Sequence, residues 1–555
     1  MKRTILFLFV VLSVSAQVEN VPLENDVYIF LKEMEVKKII YGIDDDVPNL
    51  RRGEVKEFLE EIDAQKDQLS TTEIALLKKY QIEFFDEQIN DENTWELFGK
   101  NPNFFNSPFS VFDDRAKYLY YYQEDDVNLF AEMIGHFNYG QRVEPTTNNA
   151  ALYDIGFRFR GTLFDHLGYN LTIIKGGVSG NRDFARSVDP RLNYNFKFNE
   201  NIENISNYDF TEGYLQYHTE PVEDMDLTFQ IGREKMTFGY GYNKSLTMSG
   251  DHPTMDFIKF NFKYGILNFT SIHASTVGDF SEEQDERYTK YFAMNRFKFS
   301  FKDVLDFGLG EVIVYSGRGL ELAYLNPLLF YKFAEMSLQD RDNGLFFLDI
   351  QTKFIKNLEF QGTFFLDENL LGHLQHLTRF SNKTAYQLGA MYYEAFGIND
   401  LSLFVEYTRI RPYVYTHKSQ TDNYTSYGQI VGHHIGPNSD EIFLKAAYNV
   451  NEWIRPSLSF SFIRKGENIY NENGELVRNV GGNVFYPHDQ HKDSWDAVFL
   501  DGNRINSTQI ILSTRIEPVR DIIFDLSYTH FIQDYLTDNY STTLGFAELL
   551  MTLEF

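Results

Sequence analysis

Few residues in this sequence could carry out chemistry. Cysteine is absent from all 555 positions, which removes disulfides, thiolate metal sites, thiol nucleophiles and a lipid-bearing cysteine. No G-x-S-x-G elbow, H-E-x-x-H pair or G-x-x-x-x-G-K-[ST] loop occurs. Ser249, Asp251 and His252 come nearest to a hydrolytic set. Residues so close in sequence rarely converge on one substrate atom, and no oxyanion donor accompanies them. His433 and His434 could offer imidazoles to a metal, yet neighbours on an extended chain face opposite sides, so they are assigned as an ordinary polar loop pair. Asp489, Asp493, Asp496 and Asp501 lack EF-hand spacing and form a solvated acidic run. The expectation is no catalytic residue, no metal and no cofactor.

Aromatic rings in long polar segments are the better lead. Tyr413, Tyr415, Tyr424 and Tyr427 share one such segment with His433 and His434, and Tyr470, Phe485, Tyr486 and Trp495 share another. Flat rings stack on the C–H faces of sugars while Asn, Asp and His serve the hydroxyls, so these ten are candidate glycan-binding residues. The competing reading places them in an interfacial girdle or in loop packing. A formal net charge of −29 repels nucleic acid and anionic membrane surfaces. It would also repel an acidic polymer, so a bound glycan is neutral, bridged by a divalent ion, or met by local Lys and Arg.

The elements that must hold these rings are strands. From about Phe130 apolar residues alternate: Phe157 and Phe159; Leu227, Phe229 and Ile231; Phe297, Phe299 and Phe301; Leu401, Leu403 and Val405. The opposite face carries ions of both signs, including Arg158, Arg160, Arg296, Lys298 and Glu406 as lumen-lining candidates. Strands between lipid and a wet lumen have this pattern, and it is compatible with a mean hydropathy of −0.36. About 18 strands are expected, with tight turns such as Gly265-Ile266 and Asp303-Val304 facing long segments near 179–208, 235–255, 316–344, 411–439 and 465–503. Short turns opposite long loops, in an even-stranded closed sheet, define an outer-membrane barrel, and the alternation Leu549, Met551, Leu553, Phe555 is the terminal strand that barrel-assembly machinery reads. Asn326-Pro327 ahead of Leu328–Met336 predicts a short helix inside a long outer loop, either folded into the lumen and narrowing it or packed among the loops at the rim.

Lys2 and Arg3, the apolar run Ile5–Leu12 and the small residues Val14-Ser15-Ala16 describe a secretory signal over 1–16. Residues 17–115 are expected to form a periplasmic helical region and 125–555 the transmembrane barrel. Three amphipathic helices are predicted, from about Asp26 to Tyr41, around Val55–Ile62, and after a Ser70/Glu73 capping box, with Asp44-Asp45-Asp46 and Pro48 breaking the first from the second.

With this architecture in place, the chain resembles the Wzi-type capsule-assembly outer-membrane family, which also includes barrel proteins linked to gliding motility. The resemblance rests on the order of short motifs: Asp26–Leu31, Arg52-Gly53-Glu54-Val55, Gly232-Arg233 with Phe238-Gly239-Tyr240-Gly241 and Ser245–Ser249, Leu325-Asn326-Pro327, Asp342-Asn343, Leu348-Asp349, Asp367-Glu368, Tyr427-Gly428 and Gly432–Asn438. It implies an 18-stranded barrel, an N-terminal helical bundle at the periplasmic mouth, and a lectin-like, non-enzymatic role in binding, anchoring or organising surface polysaccharide. Membrane lipid and the assembly machinery are the other expected partners. The alternatives are a component of gliding or adhesion machinery and a solute channel.

Overall fold

Every second residue of a strand faces outward and the rest face inward, and that period runs through this chain until the sheet closes on itself. A computed structural model describes residues 17–47, 49–86, 89, 94–99, 102–107, 109–124, 126–200, 206–278, 286–367 and 378–555. The expected signal segment 1–16, the breaker Pro48, the domain bound at 125 and Glu368 lie outside the described residues.

Eighteen antiparallel strands form the barrel. They are β1 Val127–Glu144, β2 Asn148–Leu163, β3 Leu167–Gly180, β4 Asn207–Thr219, β5 Met225–Glu234 and β6 Met255–Tyr264, then β7 Leu267–Val277, β8 Thr289–Phe301 and β9 Leu305–Ser316. The second half comprises β10 Asn343–Thr352, β11 Leu358–Leu366, β12 Thr384–Tyr393, β13 Leu401–Ile410, β14 Ser439–Tyr448 and β15 Ile454–Glu467, then β16 Asn503–Val519, β17 Ile522–Tyr535 and β18 Tyr540–Glu554. β18 pairs with the second half of β1, and a short strand, Tyr120–Glu124, pairs with the first half, so the seam has no open edge there. Phe555 exchanges backbone hydrogen bonds with Met133 at this seam.

Phe157, Phe229, Ile231 and Val405 are exposed on the outer face, as the alternation requires. One end carries only short turns. The other carries segments 181–206, 235–254, 278–288, 317–342, 367–383, 411–438 and 468–502, and two tight connections at 145–147 and 536–539 interrupt the alternation of short and long.

Three N-terminal helices sit at the short-turn end: α1 Val27–Val36, α2 Arg52–Asp63 and α3 Thr71–Phe84. Ser70 Oγ accepts the Glu73 amide at 3.0 Å, and the Glu73 carboxylate accepts the Ser70 amide, so the capping box forms. α1 ends at Val36, not Tyr41, and buries Val27, Phe30, Leu31 and Met34 against α2 and α3.

The segment 317–342 corrects an expectation. It contains the helix α4 Tyr331–Ser337, but it lies against the outside of the wall, not in the lumen. The reason is on the strands: Ser271, His273, Ala293, Asn295, Glu311, Ile313 and Tyr315 share the outward register of β7–β9 and are buried. Glu311 accepts the amides of Tyr331 (2.6 Å) and Lys332 (3.1 Å), and Asn295 donates to the Pro327 and Leu329 carbonyls. Polar groups on an apolar outer wall need such partners, and this segment supplies them.

Candidate functional site

The lumen is filled from both ends. From the short-turn end, residues 17–20 and 44–47 enter beside the helices. Glu19, fully buried, accepts from Arg160 (3.2 Å) and from the Thr162 hydroxyl (2.8 Å), while the Val18 amide donates to Thr162 Oγ1. Asp44, Asp45 and Asp46 lie in the connection between α1, which has already ended at Val36, and α2, and their side chains reach into the barrel. Lys298 bonds Asp44 and Asp46, Arg296 pairs with Asp46 and with Asp349 (2.7 Å), and Asp45 takes Lys32 at 2.7 Å. Burial alone would raise the Asp44 carboxyl, but Lys263 and Lys298 outweigh it and hold it well below the usual carboxylate range.

From the long-loop end, segment 235–254 descends into the middle. Phe238, Leu246 and Met248 pack among the inward Met255, Ile272, Phe292, Met294 and Val312. Glu406 accepts the amides of Tyr242 (2.7 Å) and Asn243 (3.2 Å), and the Tyr242 hydroxyl donates to Glu359 at 2.8 Å. All five lumen-lining candidates therefore face inward, and each is engaged: Arg158 with Glu132 and Glu554, the other four as described. Glu19, Asp46 and Tyr242 were not among the candidates. The partners named above lie more than a hundred residues away, and no local pattern marks them.

Segment 411–438 closes over this layer, and the ten candidate glycan residues separate by burial. Tyr415 and Tyr424 are wholly enclosed, stacked at 5.3 Å, and their hydroxyls donate to the Leu246 and Thr247 carbonyls of the descending segment. Tyr413, buried against Phe380, donates to the Asn479 carbonyl. Those three rings have no face open to a ligand. Tyr427, Tyr470, Phe485 and Tyr486 are half-buried, and Trp495, 53% exposed, stands at the rim beside Phe380 and His488. Asn438, also missed, ties the loops together: it donates to the Gly466 and Asp501 carbonyls and accepts the Leu500 amide.

The two histidines do not point apart. The chain turns between Gly432 and Gly436, whose φ is +69°, and the rings of His433 and His434 stack at 4.7 Å. Burial, then His434 and Lys244, push the His433 imidazole well below its ordinary value. Ser249, Asp251 and His252 form no relay. Ser249 donates to the Val431 carbonyl, Asp251 pairs with Lys244 at 2.6 Å, and the His252 ring meets the carbonyls of Pro253 and Met236. The acidic run is dispersed among separate partners, Asp489 on Lys492, Asp496 on Thr378 and Asp501 on Arg478.

Among the described residues are two cavities of about 310 Å³ each. One opens at the long-loop end and is lined by His434, Lys465, Asn468, Tyr470, Asn483 and Phe485, among others. The other lies inside the β15–β18 wall between α1 and Ser457, Ser513, Asp525 and Glu548.

An 18-stranded antiparallel barrel with an apolar outer face, short turns at one end and a lumen packed with its own segments is an outer-membrane β-barrel. A sequence profile of the capsule assembly protein Wzi family matches residues 140–499, and the chain belongs to that family. A comparison with curated protein sequences finds no match. Among solved structures it is similar to Wzi of Escherichia coli, an outer-membrane protein involved in group 1 capsule assembly and a carbohydrate-binding β-barrel. The TM-score is 0.55 at 13% identity, over 98% of this chain and 100% of that one. At that identity the likeness is one of fold. OprD of Pseudomonas aeruginosa aligns with a TM-score of 0.44 at 10% identity, over 80% of this chain and 96% of that one.

Proposed function

We propose that this capsule-family barrel binds and organises surface polysaccharide at its long-loop end, as a lectin-like protein without catalysis. In this reading residues 17–115 lie on the periplasmic side and the long loops at the cell surface. The apolar wall meets membrane lipid, and the terminal strand ending in Phe555 is recognised by the assembly machinery.

The observation that carries it is the loop-end cavity. Tyr470 and Phe485 offer ring faces, Asn468, Asn483 and His434 offer hydroxyl partners, and Lys465 supplies local positive charge against the acidic mean field. A fold shared with a carbohydrate-binding barrel agrees with it. The test is binding of purified surface polysaccharide to the detergent-solubilised chain. Tyr470→Ala and Phe485→Ala are each expected to weaken it roughly tenfold, equivalent to about 1.4 kcal/mol. Unchanged affinity in both would refute the residue choice, and no binding by the parent chain would refute the reading. In a deletion strain, polymer should still be made and shed into the medium; polymer that stays on the cells would argue against retention by this barrel.

A further inference from the structure

We propose that His433, His434 and Glu441 form a divalent-cation site of the zinc class beneath the loop-end cavity. The two imidazole Nε2 atoms stand 3.6 Å and 3.8 Å from the Glu441 carboxylate oxygens, and one ligand atom from each residue lies within 4.8 Å of the others. Tetrahedral zinc, with ligands at about 2.0–2.1 Å, sets its donors a little over 3 Å apart, so small side-chain movements complete the shell.

A second observation points the same way. His433 is fully buried, and neither ring nitrogen has a hydrogen-bond partner among the described residues. A buried polar group left so is costly, and coordination would satisfy the nitrogen facing Glu441. Glu441 is already oriented as a ligand is, by the Ser461 hydroxyl and by Asn243 Nδ2 at 3.3 Å. The nearby Lys244 ammonium is drawn off by Asp251.

The other described group of His and carboxylate side chains, His218 with Glu220 and Asp226, is engaged elsewhere, since Thr228 contacts the His218 ring and Arg51 holds Asp226 at 2.6 Å. Two imidazoles and one carboxylate suit zinc or a similar borderline cation and leave a fourth position. Because His434 also lines the loop-end cavity, that position faces a space where an oxygen ligand can complete the shell. The site stands whether or not the cavity takes a glycan.

The test uses a tag-free, chelator-stripped chain in detergent, titrated calorimetrically with Zn²⁺. One ion per chain is expected, with affinity lowered at least tenfold in both His434→Gln and Glu441→Gln and kept in His491→Gln, a change at an exposed loop histidine. No stoichiometric binding by the parent chain, or binding retained in both site variants, would overturn the proposal. Should those variants fail to fold, Co²⁺ added to the folded parent decides. Intense visible absorption from a four-coordinate site supports it, and the weak spectrum of hydrated Co²⁺ refutes it.

Discussion

The amide of Gly239 donates to the carbonyl of Asp46 across 2.8 Å, and at that bond the segment rising from the short-turn end meets the one descending from the loops. Neither has regular secondary structure there, so each must find partners for its backbone groups, and each partly satisfies the other. The filling of the lumen is therefore one interlocked unit.

Gly239 has φ +91°, and a Cβ there would lie 2.6 Å from Ser245 Oγ. Gly239→Ala is expected to cost about 1–2 kcal/mol for the left-handed backbone alone, and more because Ser245 must leave the Phe238 carbonyl to which it donates. The unfolding temperature in detergent should fall, and current fluctuations through the reconstituted barrel should rise. A variant as stable and as silent as the parent would show that the junction does not hold the plug.

Lys298 is buried with Asp44 and Asp46, and removing one partner of such a cluster strands the others. Lys298→Met should destabilise by about 3–5 kcal/mol. Adding Asp46→Asn should restore part of the loss, because Arg296 keeps Asp349 and Asp44 keeps Lys263 at 2.6 Å. Chemical denaturation of the two variants side by side measures this; a double variant no more stable than the single one would exclude charge stranding as the cause.

How much of this was legible follows from distance along the chain. Alternation such as Leu227, Phe229, Ile231 is local, and it located the strands and closed the sheet. The Asp44-Asp45-Asp46 run is visible as a helix breaker, but its partners Lys263, Lys298 and Arg296 lie more than two hundred residues on, and only the folded register brings them together. The outward path of segment 317–342 did leave a local trace. Ser271, His273, Asn295 and Glu311 stand on faces that Phe297, Phe299 and Phe307 mark as lipid-facing, and polar residues there require a cover. The pairing of His433 with His434 was hidden for the opposite reason, since the turn at Gly436 cancels the two-residue period on which the expectation rested.

His417 titrates in the loop layer. Burial, with Lys383 and Lys418, lowers its imidazole from 6.5 to about 4, and the neutral ring accepts the Ser419 amide. As pH falls, the unfolded chain takes up this proton first. The contribution is therefore complete above 6.5, declines between 6.5 and about 4, and declines no further below that. The stability difference between the parent and His417→Gln, followed against pH, should shrink through that window. A difference that is flat from pH 7 to 4 would mean that the ring takes up its proton as readily in the fold as in the unfolded chain.

Glu311 caps α4 from another strand, its carboxylate taking the first two amides of a helix whose N-terminus favours negative charge. Glu311→Ala should cost about 1–2 kcal/mol, the range of a lost helix cap, and should release segment 317–342 without opening the barrel. Limited proteolysis should then cut within the segment, while the closed barrel keeps its heat-modifiable mobility on gels. The released face matters because Leu328, Phe333 and Met336 are exposed on it, at 86%, 69% and 62%, continuous with the apolar wall. Such a patch on the outside of a membrane barrel is expected to lie in lipid. Phe333→Trp, reconstituted in bilayers of brominated lipid, should lose fluorescence, and adding Glu311→Ala should restore it. A tryptophan unquenched in the capped protein would put the segment above the membrane, and equal quenching in both would show that the Glu311 cap does not hold it against the wall.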